Sequence, residues 1–170
     1  MTVADLLARC EGAVGHRTVY RLGGGNLDPA APTVQDEQRS ADCSAFACWA
    51  LGIRKYQPAM AWLVKINGGW LNTDGIWADA DLPVGFFEEI AAPRSGCVIV
   101  YPSARMARAR GPAVGHVGIV TQILGGGASL VTHCSSGNYR RSGDAIRQTT
   151  PEVFSRVAYT RFAWCAAVAR

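Results

Sequence analysis

The strongest constraint on this chain is a change of hydrophobic period about half-way along it. In the first half, apolar residues recur at helical spacing. Val3, Leu6, Leu7 and Cys10 fall on one face of "MTVADLLARCEG", and Phe46, Trp49, Ala50 and Ile53 do so behind "SADC". Pro58 to Ile66 reads as a further helix with proline in its first turn, stopping before Asn67-Gly68-Gly69. "NGGWLNTDGIWADADLPVG" reads as turn-rich, with Trp70 and Trp77 as core or loop anchors. From Gly96 onward the pattern is short β-branched runs bounded by Gly and Pro: Gly96–Pro102, Gly115–Leu124, Ala128–His133 after a Gly125-Gly126-Gly127 turn, and a last strand within 158–168. Helices first and an antiparallel sheet afterwards is the α+β order, with helices packed on one central sheet. No internal repeat or linker divides residues 1–170, so we expect a single domain.

Composition removes several function classes. With 49% hydrophobic and 18% charged residues the chain should form a globule. No apolar run approaches the ~20 residues of a membrane span. The start carries Asp5 and Glu11 and does not read as a signal peptide, so a cytoplasmic protein is expected. The net charge of +4 is mild, and basic residues do not interleave with aromatics, which argues against a nucleic-acid partner. No feature of the chain fixes an oligomeric state. Of six cysteines (10, 43, 48, 97, 134, 165), no pair has C-x-x-C spacing; a zinc ribbon is not expected, and reduced thiols are.

One thiol stands apart. Cys43 opens the helix "CSAFACWA", with Ser40 or Asp42 placed to cap it. There it meets free backbone N–H groups and the positive end of the helix dipole, which favour the nucleophilic thiolate. A thiol nucleophile needs a base, and the base needs an orienting partner. Only His16, His116 and His133 are available. His116 opens the strand "GHVGIV" and His133 closes the strand that pairs with it; His16 falls in a loop. Their odd separation makes geometry decisive. A regular ladder closed by a three-residue loop puts His116 and His133 on opposite faces, whereas a two-residue Gly-Gly turn or a bulge puts them on one.

These residues resemble the NlpC/p60 family of papain-like cysteine peptidases, many of which cut peptidoglycan stem peptides. The family's D-C-S-G-F is similar to Asp42-Cys43-Ser44-Ala45-Phe46, its H-V-G-I to His116-Val117-Gly118-Ile119, and its second histidine to His133 in "LVTHCSS". Its Y-x-W-G-G resembles Tyr20-Arg21-Leu22-Gly23-Gly24, and its G-D-L-V-F-F strand resembles Gly96–Tyr101. Ala45, Leu22 and Cys97 depart from the pattern, and the segments before Cys43 and before His116 are long.

The resemblance implies a papain-like fold and a Cys43–His116–His133 triad needing no cofactor or metal. It implies Tyr20 and the Cys43 N–H at the oxyanion, and Asp42 and Ser44 at the free amine of a stem peptide, roles they share with helix capping. The implied partner is peptidoglycan or its fragments. The implied reaction is cleavage between D-Glu and the diamino acid. A sugar–peptide amidase, an acyl transferase or thioesterase, and a non-catalytic binding module of the same fold are the alternatives. A wall substrate makes delivery by a phage or secretion particle the alternative to cytoplasmic recycling. Arg105, Arg108 and Arg110, like Arg140 and Arg141, are candidates for substrate carboxylates or simply solvated charges.

Overall fold

The computed structural model describes residues 1–82, 85–124 and 129–169. In chain order the elements are α1 (Val3–Gly12), β1 (Val19–Tyr20), β2 (Ser40–Ala41), α2 (Cys43–Ala50), α3 (Ala61–Asn67), α4 (Thr73–Asp79), β3 (Phe87–Ile90), β4 (Val98–Tyr101), α5 (Ala104–Ala107), β5 (His116–Ile123), β6 (Ser129–Cys134), α6 (Ser136–Ser142), β7 (Ile146–Thr149), α7 (Glu152–Ser155) and β8 (Arg161–Cys165). Six strands form one antiparallel sheet in the order β3-β8-β4-β5-β6-β7. Helix α2 lies against β5 and β6, and α1 packs on both α2 and β5. This is the α+β, papain-like architecture, with N-terminal helices on a central antiparallel sheet.

Local chemistry sets the element boundaries. Helix α1 starts with a capping box, in which Thr2 Oγ1 accepts from the Asp5 N–H and Asp5 accepts from the Thr2 N–H. Helix α2 ends at Leu51, and Gly52 follows in the left-handed conformation at φ 68°. Helix α3 begins at Ala61, later than its proline suggests. Gln57 N–H donates to Gly69 O and Met60 N–H to Gln57 O, so the chain from 57 to 60 is spent on a turn.

Helix α4 lies inside the stretch read as turns. Asn72 caps it by accepting from the Gly75 N–H at 3.0 Å. Gly75 is there for space rather than for a turn, since a Cβ would stand 2.6 Å from Trp70 O. The four predicted strand regions hold β4, β5, β6 and β8; the turn expected at Gly125-Gly126-Gly127, and Ala128, lie outside the described residues. Strands β3 and β7, the two edges, were not anticipated. Each buries one residue fully, Phe87 and Ile146, and so carries no period-two signal.

Candidate active site

Three short elements converge on Cys43. β1 runs parallel to β2 and pairs Tyr20 with Ala41, which sets Tyr20 beside the start of α2. Asp42 caps that helix, its Oδ1 accepting from the Ala45 N–H at 2.7 Å. The glycine loop after Tyr20 presses on the same turn. Gly25 has φ 117°, and a Cβ on it would lie 2.4 Å from the Ala45 Cβ. Every residue of α2 is buried in consequence.

The histidine geometry depends on one bulge. At the end where the two strands are connected, the β5–β6 ladder pairs Ile123 with Ser129 and Gln122 with Leu130. Continued without interruption, that register would pair Gly118 with Cys134 and put His116 and His133 on opposite faces. The register shifts between Val120 and Gln122, so that Val120 pairs with Val131 and Ile119 with Thr132. Gly118 then opposes His133, where a Cβ would stand 3.0 Å from the His133 Cβ. His116 and His133 come onto one face, diagonal to each other, and His116 Nε2 meets His133 Nδ1 at 2.7 Å.

The far nitrogen of His133, Nε2, lies 2.9 Å from Thr149 Oγ1 on β7. Phe154 of α7 stacks on the His116 ring, with centroids 5.0 Å apart and planes at 17°. The His116 ring is thereby held by hydrogen bonding at one edge and by stacking on one face, with its Nδ1 left over.

The thiol sits at the mouth of β5. Its sulfur faces the backbone N–H of Val117, the residue after His116, and that of Ser44. Among the described residues Cys43 makes no hydrogen bond to His116. The thiolate expected from the helix start is not the resting form. Cys43 is 3% exposed; burial, and after it the Asp42 carboxylate, push its thiol up to about 12, against the opposing pull of Val117 N–H, Lys55 and Ser44 N–H. Burial, then the neighbouring His133, brings His116 down to about 3, and burial, then Arg141, brings His133 to about 4. Desolvation thus pushes the thiol and both imidazoles toward their neutral forms, against the helix-terminus effect on Cys43.

Around the thiol, Asp42 is fully engaged. Its carboxylate accepts from Gly23 N–H (2.9 Å), Ala45 N–H (2.7 Å) and Ser44 Oγ (2.9 Å). Both of its oxygens lie 2.9 Å from Lys55 Nζ. Asp42, Ser44 and Lys55 are all buried. The position that the resemblance gives to a substrate amine thus holds the ammonium of the chain itself. Tyr20 is half-buried, and burial, then Cys43 and Asp42, keeps its hydroxyl protonated.

Arg105, Arg108, Arg110, Arg140 and Arg141 are exposed. Arg141 donates to Asn138 Oδ1 at 3.0 Å, which ties the end of α6 to the histidine pair. His16 is exposed and apart from the site. Trp77 is anchored by its Nε1–H donating to Tyr159 O, while Trp70 stacks on Tyr56 at the surface.

Sequence reasoning missed Lys55, Thr149 and Phe154. Lys55 reads as one more surface cation beside Arg54, and only its parity with Trp70–Leu71 turns it inward: Leu71 N–H donates to Lys55 O, and Tyr56 bridges to Trp70. Thr149 belongs to the edge strand that carries no periodic signal. Phe154 sits in a four-residue helix of no recognisable pattern.

A family model described as "CHAP domain" matches residues 34–138, a span that contains Cys43, His116 and His133. No curated protein matches the chain significantly. Among solved structures the chain is similar to "The crystal structure of Ly7917", with a TM-score of 0.55 and 16% identity over 97% of this chain. It spans 63% of the length of that protein. CHAP domains are usually cysteine- and histidine-dependent amidohydrolases related to the NlpC/p60 peptidoglycan hydrolases, and the NlpC/p60 likeness holds at the level of that relationship. The match covers well over half of the sequence, including the helix-start cysteine and both paired histidines, and the chain therefore belongs to the CHAP domain family.

Proposed function

We propose that the protein is a cysteine amide hydrolase acting on peptidoglycan stem peptides, with Cys43 as nucleophile, His116 as acid–base and His133 as its orienting partner. The observation that carries this reading is the His116 Nε2–His133 Nδ1 contact of 2.7 Å beside a thiol that faces the next backbone N–H along β5. That contact occupies Nε2 and reserves Nδ1 of His116 for proton transfer.

The chemistry follows from a neutral pair. As Cys43 Sγ attacks the amide carbonyl carbon, its proton passes to His116 Nδ1. The carbonyl oxygen becomes an oxyanion, for which the Cys43 N–H and the protonated Tyr20 hydroxyl are the nearby donors; losing one such donor typically costs about 3–4 kcal/mol in the barrier. His116 Nδ1–H then protonates the leaving amine, and a thioester remains. Water attacks the thioester, giving its proton to Nδ1, and the carboxylic acid leaves as Sγ recovers that proton. His133 keeps the imidazolium in register throughout.

The Asp42–Lys55 pair bears on which bond is cut. With Lys55 Nζ on both carboxylate oxygens, Asp42 has no open place for a substrate amine. This favours stems without a free N-terminus, as in the sugar–peptide amidase reaction, over D-Glu–diamino acid cleavage of freed peptides. Asp42 and Ser44 then serve to hold the helix start. Digestion of purified peptidoglycan with mass analysis separates the two. Freed lactyl groups mark the amidase, and a new amine on the diamino acid marks the endopeptidase. An unchanged digest, identical to that of Cys43→Ala, overturns the hydrolase reading.

A further inference from the structure

The hydrogens around His133 can be assigned by counting donors. Thr149 Oγ1 lies 2.9 Å from Thr150 O, which can only accept, so the single hydroxyl hydrogen of Thr149 is committed there. Toward His133 Nε2, 2.9 Å away, Thr149 Oγ1 is therefore an acceptor, and Nε2 carries the proton. The other polar neighbour of Nε2 does not change this. Asn138 Nδ2 stands 3.5 Å away, but its two hydrogens go to His133 O (3.2 Å) and Ala145 O (3.3 Å). Arg141 donates to Asn138 Oδ1, which fixes the orientation of that amide.

A neutral His133 protonated on Nε2 is bare on Nδ1. That nitrogen accepts across the 2.7 Å contact, so His116 must carry its proton on Nε2. His116 Nδ1 is then an unprotonated lone pair, the form a base for the thiol requires.

We propose that Thr149 is a positioning residue that sets the tautomer of both histidines, through the chain Thr150 O, Thr149 hydroxyl, His133 and His116. Without the acceptor at Oγ1, His133 can move its proton to Nδ1 and donate it to His116 Nε2. His116 would then hold its proton on Nδ1, facing the thiol, and could not take another there. The effect passes through two rings and touches neither the thiol nor the substrate. It rests on the proposed roles of Cys43 and His116 for its consequence in catalysis, but the tautomers themselves do not depend on turnover.

The test is imidazole nitrogen NMR on histidine-labelled protein near pH 7, for the wild type, Thr149→Val and Thr149→Ser, combined with kinetics on peptidoglycan. The wild type and Thr149→Ser should both show His116 and His133 protonated on Nε2. Thr149→Val should show His133 shifted toward Nδ1–H, with kcat lowered about tenfold at unchanged KM, the loss of roughly one hydrogen bond's preference. Thr149→Ser should restore kcat. A wild-type His133 protonated on Nδ1 overturns the proposal whatever the fate of the variants, and so does a Thr149→Val spectrum identical to the wild type. A wild type with the expected tautomers and no hydrolysis would remove the proposed function and leave the tautomer chain standing.

Discussion

Lys55→Met is the perturbation whose outcome the structure specifies most fully. The Lys55 and Asp42 side chains are 6% and 5% exposed and 2.9 Å apart. Methionine keeps most of the length of lysine and removes the charge. The Asp42 carboxylate then stays buried with Gly23 N–H, Ala45 N–H and Ser44 Oγ as its remaining donors. Breaking a buried pair from one side typically costs about 3–5 kcal/mol, because a charge is left uncompensated. Three surviving hydrogen bonds put this case at the lower end, about 3 kcal/mol. For a chain of this size, 1 kcal/mol moves Tm by about 2–4 °C, so the shift should be about 6–12 °C.

Urea unfolding of Lys55→Met, Asp42→Asn and the double variant measures it. Asparagine keeps an oxygen for the Ala45 cap and removes the charge. Each single variant leaves a lone buried ion, whereas the double leaves none. The double should therefore be more stable than the summed single effects predict, by about 2 kcal/mol or more. A Lys55→Met loss below about 1 kcal/mol, or effects additive within about 0.5 kcal/mol, would refute the argument that this pair holds the helix start together.

Four further outcomes follow from the same site. Cys43→Ala and His116→Ala should both abolish hydrolysis, and His133→Asn should keep more activity than His133→Ala, since orientation needs an acceptor but no proton exchange; this is read from initial rates on one digestible substrate. Asp42 raises the Cys43 thiol and Lys55 lowers it, so iodoacetamide should alkylate Cys43 fastest in Asp42→Asn and slowest in Lys55→Met, followed by mass spectrometry at fixed pH. The histidines, held at about 3 and 4 against about 6.5 when unfolded, contribute stability that is complete above pH 6.5 and lost as pH falls toward those values. Urea titrations should therefore show a chain less stable at pH 5.5 than at pH 7.5, by on the order of 2 kcal/mol, with Asp79, whose carboxyl burial raises to about 6, acting in the opposite direction, and His133→Gln should shrink the difference. Finally, wild type and Cys43→Ser should show equal ultraviolet thiolate absorbance at pH 7, because the resting sulfur is protonated.

What the sequence made legible was set by the reach of each physical signal. Helix α2 and strands β4, β5 and β6 are nearly continuous buried runs whose starts and stops are marked in the local sequence, so Cys43 could be placed at a helix start and His116 and His133 on paired strands from spacing and order. The face that His133 shares with His116 was not local. It turns on one extra residue between Val120 and Gln122, and a bulge there leaves no mark in composition: Thr121 is an ordinary strand residue. The charge state of the thiol failed for a different reason. A helix terminus is visible in a sequence, but the burial that opposes it, and leaves Cys43 3% exposed, arises only when the start of α2 is packed into the fold. Lys55 shows the same limit in its sharpest form. Charge on a lone lysine argues for solvent, and only a carboxylate 2.9 Å away, supplied by a residue 13 positions earlier, makes burial tolerable. Chemistry that depends on one residue was readable. Chemistry that depends on which residue opposes it, and on how much water remains between them, required the fold.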